Sequence, residues 1–174
     1  IISFYNNLIQ DWHQPYEHRM IATKFGETFV LCCGRETARP LILLHGSSSN
    51  SAMWKEDVKK YSENFRVFCI DIIGECGKSS ENRPTFKGNN YSNWLSEIFT
   101  KLNLNKASII GCSLGGWIAT DFTIKYPEKV NRLVLLATAG ITNVRTSTIF
   151  WILATSILGK WGFKKLNEMV YRNL

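Results

Sequence analysis

Apolar and polar positions alternate over residues 18–24 and 27–33, and Phe25-Gly26 separates the two runs. That rhythm predicts an antiparallel hairpin with one face on a core. Further along, residues 41–44 are a continuous apolar stretch, which predicts a strand covered on both faces, and 66–70, 107–111 and 132–137 read as further strands. Between these runs the apolar positions take helical spacing. Met53, Trp54, Val58 and Tyr61 do so within 51–64, and Trp94, Leu95, Ile98 and Phe99 within 91–102. A third helical run covers 113–126 and stops at Pro127, and residues 1–12 read as a short amphipathic helix or arm. Strands alternating with helices imply a mostly parallel sheet with right-handed crossovers, helices on both faces and the hairpin at its start. From Asn143 the period turns helical and stays so. Residues 1–142 are therefore read as the sheet-bearing core and 143–174 as the beginning of a helical cap or lid. Trp151, Trp161 and Phe163 in that last segment are read as packing between lid and core in preference to lining an acyl pocket.

One junction between strand and helix carries chemistry. Residues 107–111 lead into Gly111-Cys112-Ser113-Leu114-Gly115, a G-x-S-x-G sequence, and Gly116 follows. A serine hydroxyl is a weak nucleophile, and projecting it from a sharp turn lets a base and a substrate carbonyl reach it. Such a turn strains Ser113 and brings strand and helix so close that side chains at Gly111, Gly115 and Gly116 would collide. The simpler reading, Ser113 as an ordinary helix cap, leaves the flanking strand and the next motif unexplained. Upstream, Pro40-Leu41-Ile42-Leu43-Leu44 runs into His45-Gly46-Ser47-Ser48-Ser49-Asn50. An acyl-transfer site needs two backbone N–H groups aimed at the oxygen that becomes negative, and the natural donors here are Ser47 and Leu114.

The segments LLHGSSSN (43–50), VFCIDIIGECGKSS (67–80), SIIGCSLGGWIA (108–119) and RLVLLATAG (132–140) follow the order of an α/β-hydrolase N-terminal half. The sequence resembles the bacterial, Bacillus-type carboxylesterase branch of that superfamily from about residue 18 to residue 140. The resemblance implies an incomplete α/β-hydrolase fold that lacks its last strands, with Ser113 as nucleophile, Ser47 and Leu114 as the oxyanion hole, and His45-Gly46 as the oxyanion loop. It also implies that Asp71 braces the turn after the fourth strand. Serine at the elbow separates this chain from the related dehalogenases and epoxide hydrolases, which carry aspartate there.

The family's triad runs serine, acid, histidine along the chain. The three histidines here, His13, His18 and His45, all precede Ser113, and Asp121 lies two helical turns beyond it, facing away. The expectation is therefore a serine hydrolase of small carboxylic esters represented by a segment without its catalytic acid and histidine, inactive by itself; the first residue, Ile1, fits an excerpt. Thioester or carbon–carbon bond hydrolysis, or a degenerate module that only binds, remain alternatives. A sheet edge left bare by the missing strands is expected to promote aggregation.

Composition narrows the rest. With 174 residues and 45% hydrophobic content, one domain with a sizeable core is expected, and neither disorder nor a fibre. No apolar run reaches the roughly 18 residues needed to span a bilayer. The longest, 149–158, is interrupted by Thr155 and Ser156, and no signal peptide is visible. Cys32, Cys33, Cys69, Cys76 and Cys112 form no C-x-x-C pair, so buried thiols in a reducing, cytoplasmic setting are expected, with no metal and no cofactor. The net charge is +7; residues 122–174 hold 8 Lys+Arg against 2 Asp+Glu, a surplus read as solvated helix surface and not as a nucleic-acid patch. Gly74-Glu75-Cys76-Gly77-Lys78-Ser79 imitates a phosphate loop, but Ile72 stands where that loop needs glycine, and Pro84 and Gly88 follow where a helix should start. The partner expected is a small ester; the oligomeric state is left open.

Overall fold

The computed structural model describes residues 2–12 and 14–140, together with Gly159, Trp161 and Lys164. The expectations placed on 143–174, including Trp151, Phe163 and the lid, lie outside the described residues, as does His13. Contacts divide the chain into two compact units, Ile1–Ala139 and Gly140–Leu174. The first consists of α1 (Ile2–Gln10), β1 (Tyr16–Thr23), β2 (Gly26–Cys33), β3 (Arg39–Leu44), α2 (Lys55–Ser62), β4 (Phe65–Ile70), α3 (Asn90–Lys101), β5 (Ala107–Cys112), α4 (Leu114–Lys125) and β6 (Val130–Leu136). Short 3-10 turns at Ser51–Trp54 and Pro127–Lys129 lead into α2 and β6.

The six strands form one sheet in the order β1-β2-β4-β3-β5-β6. β1 and β2 pair antiparallel, β2 joins β4 antiparallel, and the remaining neighbours are parallel. Alternation along the strands divides the core between two faces, because successive side chains point to opposite sides. Ile42 and Leu44 of β3 and Ile109 of β5 pack with Trp94, Leu95, Ile98 and Phe99 of α3 and with Ile118 and Phe122 of α4. Leu41 and Leu43 of β3, with Val67 and Cys69 of β4, pack instead with Tyr5 and Ile9 of α1, with Trp12, and with Trp54 and Val58 around the start of α2. Helices thus cover both faces, and Cys32, Cys33 and Cys69 lie fully buried between them. Burial pushes the thiols of Cys32, Cys33 and Cys69 up in pKa, so they stay protonated and inert.

The residues predicted as one helix over 51–64 divide in two. Asp71 accepts from the Ser51 N–H at 2.8 Å and Asn50 accepts from the Ala52 N–H at 3.0 Å, so the first turn is a tight 3-10 cap and the α-helix begins at Lys55. β6 sits at the sheet edge among the described residues, and its Val134, Leu135 and Leu136 are 45%, 37% and 40% exposed.

Candidate active site

β3 and β5 lie side by side and parallel, with Leu44 opposite Gly111, so both chains leave the sheet at the same end. β3 turns away at His45-Gly46; β5 turns at Ser113 into α4. Ser113 has φ 49° and ψ −112°, a conformation that disfavours any residue with a Cβ. Several backbone bonds hold it there. Its N–H donates to the Leu136 carbonyl at 3.0 Å, and its own carbonyl accepts from Trp117 at 3.1 Å and Ala139 at 3.2 Å.

The glycines explain how the elements come so close. A Cβ on Gly111 would stand 2.6 Å from the Gly115 carbonyl carbon. One on Gly115 would stand 2.6 Å from the His45 carbonyl oxygen and still closer to that of Leu44. One on Gly116 would meet the Thr138 side chain, with Cγ2 at 2.9 Å. Only the Gly111 clash is the expected one between strand and following helix; Gly115 faces the end of β3, and Gly116 the turn after β6. The Gly115 N–H also donates to the His45 carbonyl at 3.1 Å, tying the two bends together. Gly46 approaches Ser113 itself, since a Cβ there would lie 3.5 Å from Ser113 Cβ.

The N–H groups of Ser47 and Leu114 take no hydrogen-bond acceptor among the described residues. Both belong to the segments that meet at Ser113. His45 does not reach for the serine. Its ring is fully buried, its Nε2 accepts from the Ile72 N–H at 2.8 Å, and its Nδ1 lies 2.7 Å from the Gly46 carbonyl. An acceptor Nε2 requires the proton on Nδ1, so the ring is neutral, and burial holds its pKa below the ordinary 6.5. With both nitrogens engaged it braces the loop and has no lone pair left for Ser113. His18 stacks on Phe29 from β1, 5.7 Å between centroids.

Asp71 is the hub beneath the site. Its Oδ1 accepts from Tyr5 Oη and from the Ser51 N–H, each at 2.8 Å, and its Oδ2 accepts from the Lys78 N–H at 2.8 Å. Gly77 presses against this carboxylate, with 2.6 Å between a Cβ placed there and Asp71 Cγ. Burial and the facing Asp71 charge push the Tyr5 hydroxyl strongly up in pKa, so it remains a donor. The 74–79 segment is no phosphate cradle. Gly74, Glu75, Gly77 and Lys78 donate their N–H groups to Ser80 O, Ile72 O, Glu75 O and Asp71 Oδ2 respectively, at 2.8–3.1 Å.

Glu75 was not legible as a functional residue. Its side chain is 1% exposed, it pairs with the Arg83 guanidinium at 2.7 Å, and its Oε2 accepts from the Ser48 N–H at 2.6 Å. The Ser47 hydroxyl lies 3.4 Å from the same oxygen. Ser48 itself has a φ of 58°, so a buried carboxylate fixes a loop whose backbone is otherwise unfavourable. The one local signal was an acid between small residues in a glycine-rich turn; its partners lie 27 and 28 residues upstream. Asp121 stays on α4, half-buried, with Oδ2 making no hydrogen bond in the described structure. No cluster of metal-ligating side chains occurs among the described residues.

Residues 39–173 match the sequence profile of the alpha/beta hydrolase fold family. The chain belongs to the α/β-hydrolase family. Within it, the sequence is 36% identical over 135 residues to the "uncharacterized carboxylesterase nap" of Bacillus subtilis, covering 78% of this chain and 45% of that protein. It is 33% identical over 135 residues to carboxylesterase YbfK of the same organism, covering 78% and 46%. The crystal structure of naproxen esterase (carboxylesterase NP) from Bacillus subtilis superposes with a TM-score of 0.83 at 31% identity, over 94% of this chain and 57% of that one. The chain spans about half the length of the curated relatives it matches, 45% and 46% for these two. The mostly parallel sheet, the antiparallel start and the helices on both faces agree with the fold expected from the sequence.

Proposed function

We propose that this chain forms the nucleophile-bearing half of a serine hydrolase that cleaves small carboxylic esters through an acyl-enzyme. The observation that carries the reading is Ser113 at φ 49°, between the end of β5 and the start of α4, with Gly46 against its Cβ. The names of the Bacillus carboxylesterases support the substrate class.

Ser113 Oγ attacks the ester carbonyl carbon while a histidine takes its proton. The carbonyl oxygen becomes an oxyanion held by the N–H groups of Ser47 and Leu114, each such donor lowering the barrier by roughly 2.7–4 kcal/mol. Collapse expels the alcohol, which receives the proton from the histidine, and leaves the acyl group on Oγ; water then reverses the sequence and frees the acid. His45 is excluded as the base by its two engaged nitrogens. The base and its acid are assigned to sequence outside these 174 residues, so residues 1–174 alone should not turn over esters. No metal or cofactor enters the scheme.

With the encoded full-length protein and p-nitrophenyl acetate, a rapid nitrophenol burst of one equivalent per Ser113 is expected before the slower steady state. Release without any burst or acyl adduct at saturating ester, in a protein that turns over, would refute the acyl-enzyme.

Glu75 is assigned the role of holding the Ser47-Ser48 segment so that the Ser47 N–H points at the oxyanion. Removing its carboxylate strands a Ser48 N–H at a cost of about 1–3 kcal/mol and loosens that donor. In the full-length protein, Glu75→Ala is expected to lower kcat by about 10–100-fold with KM nearly unchanged, and Glu75→Gln to fall between it and the native enzyme. A purely structural Glu75 would instead lower the melting temperature and leave kcat per folded molecule intact.

A further inference from the structure

Ser113 sits where the parallel strands end; a second feature lies where they begin. Arg39 pairs with Phe65 at the start of β3 and β4, and Ala107 pairs with Val130 at the start of β5 and β6. These first residues border a cleft of about 280 Å³ lined by Arg39, Pro40, Phe65, Lys106, Ala107, Ser108, Asn131 and Arg132. Six residues of β5, about 3.3 Å each, separate it from the elbow, so the cleft is on the order of 20 Å from Ser113 and independent of it.

Its charge is one-sided. Arg39, Lys106 and Arg132 are all exposed cations, and among the described residues no carboxylate lines this cleft. None of the three forms an ion pair among the described residues, whereas Arg19 and Arg66 nearby share the single carboxylate of Glu17. Arg39 lies over the Phe65 ring, 5.8 Å from its centroid. An adjoining cleft of about 490 Å³ shares Pro40 and Lys106; it adds Arg19, Arg66 and the amides of Asn103 and Asn105, and one carboxylate, Glu36.

Three unpaired cations around so small a space repel one another, and an anion placed between them reverses the sign of every pair. Planar guanidinium groups match the paired oxygens of a phosphate, and the Lys106 ammonium, the Ser108 hydroxyl and the Asn131 amide add single contacts. The volume suits a phosphate group with a small substituent. A nucleic-acid strand would need a longer track and bases stacked on exposed rings, and the one ring here is covered by Arg39.

We propose that this cleft binds a small phosphate-bearing anion, a phosphate monoester or a diphosphate, at a site separate from the hydrolytic centre. The test is isothermal titration of the full-length protein with inorganic pyrophosphate at low ionic strength, with inorganic phosphate, citrate and a short oligothymidylate as comparisons. The expected result is one saturable site, at least tenfold weaker in Arg132→Ala and in Lys106→Ala, lost in the Arg39→Ala, Arg132→Ala double variant, and unchanged in Ser113→Ala. Because all three side chains are exposed, circular dichroism of the variants should match the native protein. Absence of saturable binding at millimolar pyrophosphate, equal binding by the variants, or equal or tighter binding of citrate or the oligonucleotide would overturn the assignment. Inorganic phosphate binding as tightly as pyrophosphate would support a monoester; pyrophosphate at least tenfold tighter would support a diphosphate.

Discussion

Ser113→Ala is expected to reduce ester turnover by the full-length protein by at least about 10⁴-fold, while Ser113→Gly does the same and also makes the protein more stable. The first effect follows from losing the oxygen proposed to carry the acyl group; what survives would come from the proposed oxyanion donors and from binding. The second follows from the backbone. At φ 49° and ψ −112° a side chain is strained, by about 1–3 kcal/mol for such conformations, and alanine keeps that strain where glycine releases it. Urea denaturation should place Ser113→Ala near the native protein and Ser113→Gly about 1 kcal/mol above it. The strain persists because Leu136, Trp117 and Ala139 all hydrogen-bond the Ser113 backbone. If alanine and glycine gave the same midpoint, the elbow would not be strained and the reading of its geometry would be wrong.

Gly115→Ala is expected to cost about 3 kcal/mol or more and to deplete the soluble, folded protein. The added methyl would meet the Leu44 and His45 carbonyls, 2.6 Å from the latter, and both belong to the backbone at the end of β3. Neither can yield without pulling β3 away from β5, and moving α4 instead would break the Gly115 N–H bond to His45. Gly46→Ala makes the contrast. Its Cβ would stand 3.5 Å from Ser113 Cβ, an ordinary contact, so stability should change by less than about 1 kcal/mol. The methyl nonetheless fills space beside Ser113, and turnover should drop. Thermal melts and steady-state kinetics on the same two preparations separate loss of fold from loss of site.

The layout of the sheet was legible because the period of the apolar positions carries it: continuous runs at 41–44 and 107–111 became central parallel strands, and the alternating 18–24 and 27–33 became the hairpin. Boundaries moved where polar residues disguise a strand. β6 starts at Val130, two residues before the apolar run, because Val130 pairs with Ala107 although exposed Asn131 and Arg132 follow. The strained turn at Ser113 was legible because its requirement is local: glycines at fixed spacing around one residue between a strand and a helix. What was hidden is long-range. That Gly115 is constrained by β3, that His45 spends its ring on Ile72, and that Glu75 reaches back to Ser48 are contacts between segments distant in sequence, which no periodicity records. The glycine-rich 74–79 turn was recognised as something other than a phosphate loop, yet its acidic residue passed without a role.

The central claim is that Ser113 is an activated nucleophile beside two main-chain donors. Treating the folded full-length protein with a fluorophosphonate and locating the adduct by peptide mass spectrometry tests it most directly. One phosphonyl group per chain is expected, on Ser113, absent in Ser113→Ala and slowed in Glu75→Ala. A folded protein that stays unmodified, or one labelled at another serine with Ser113→Ala labelled equally well, would contradict it.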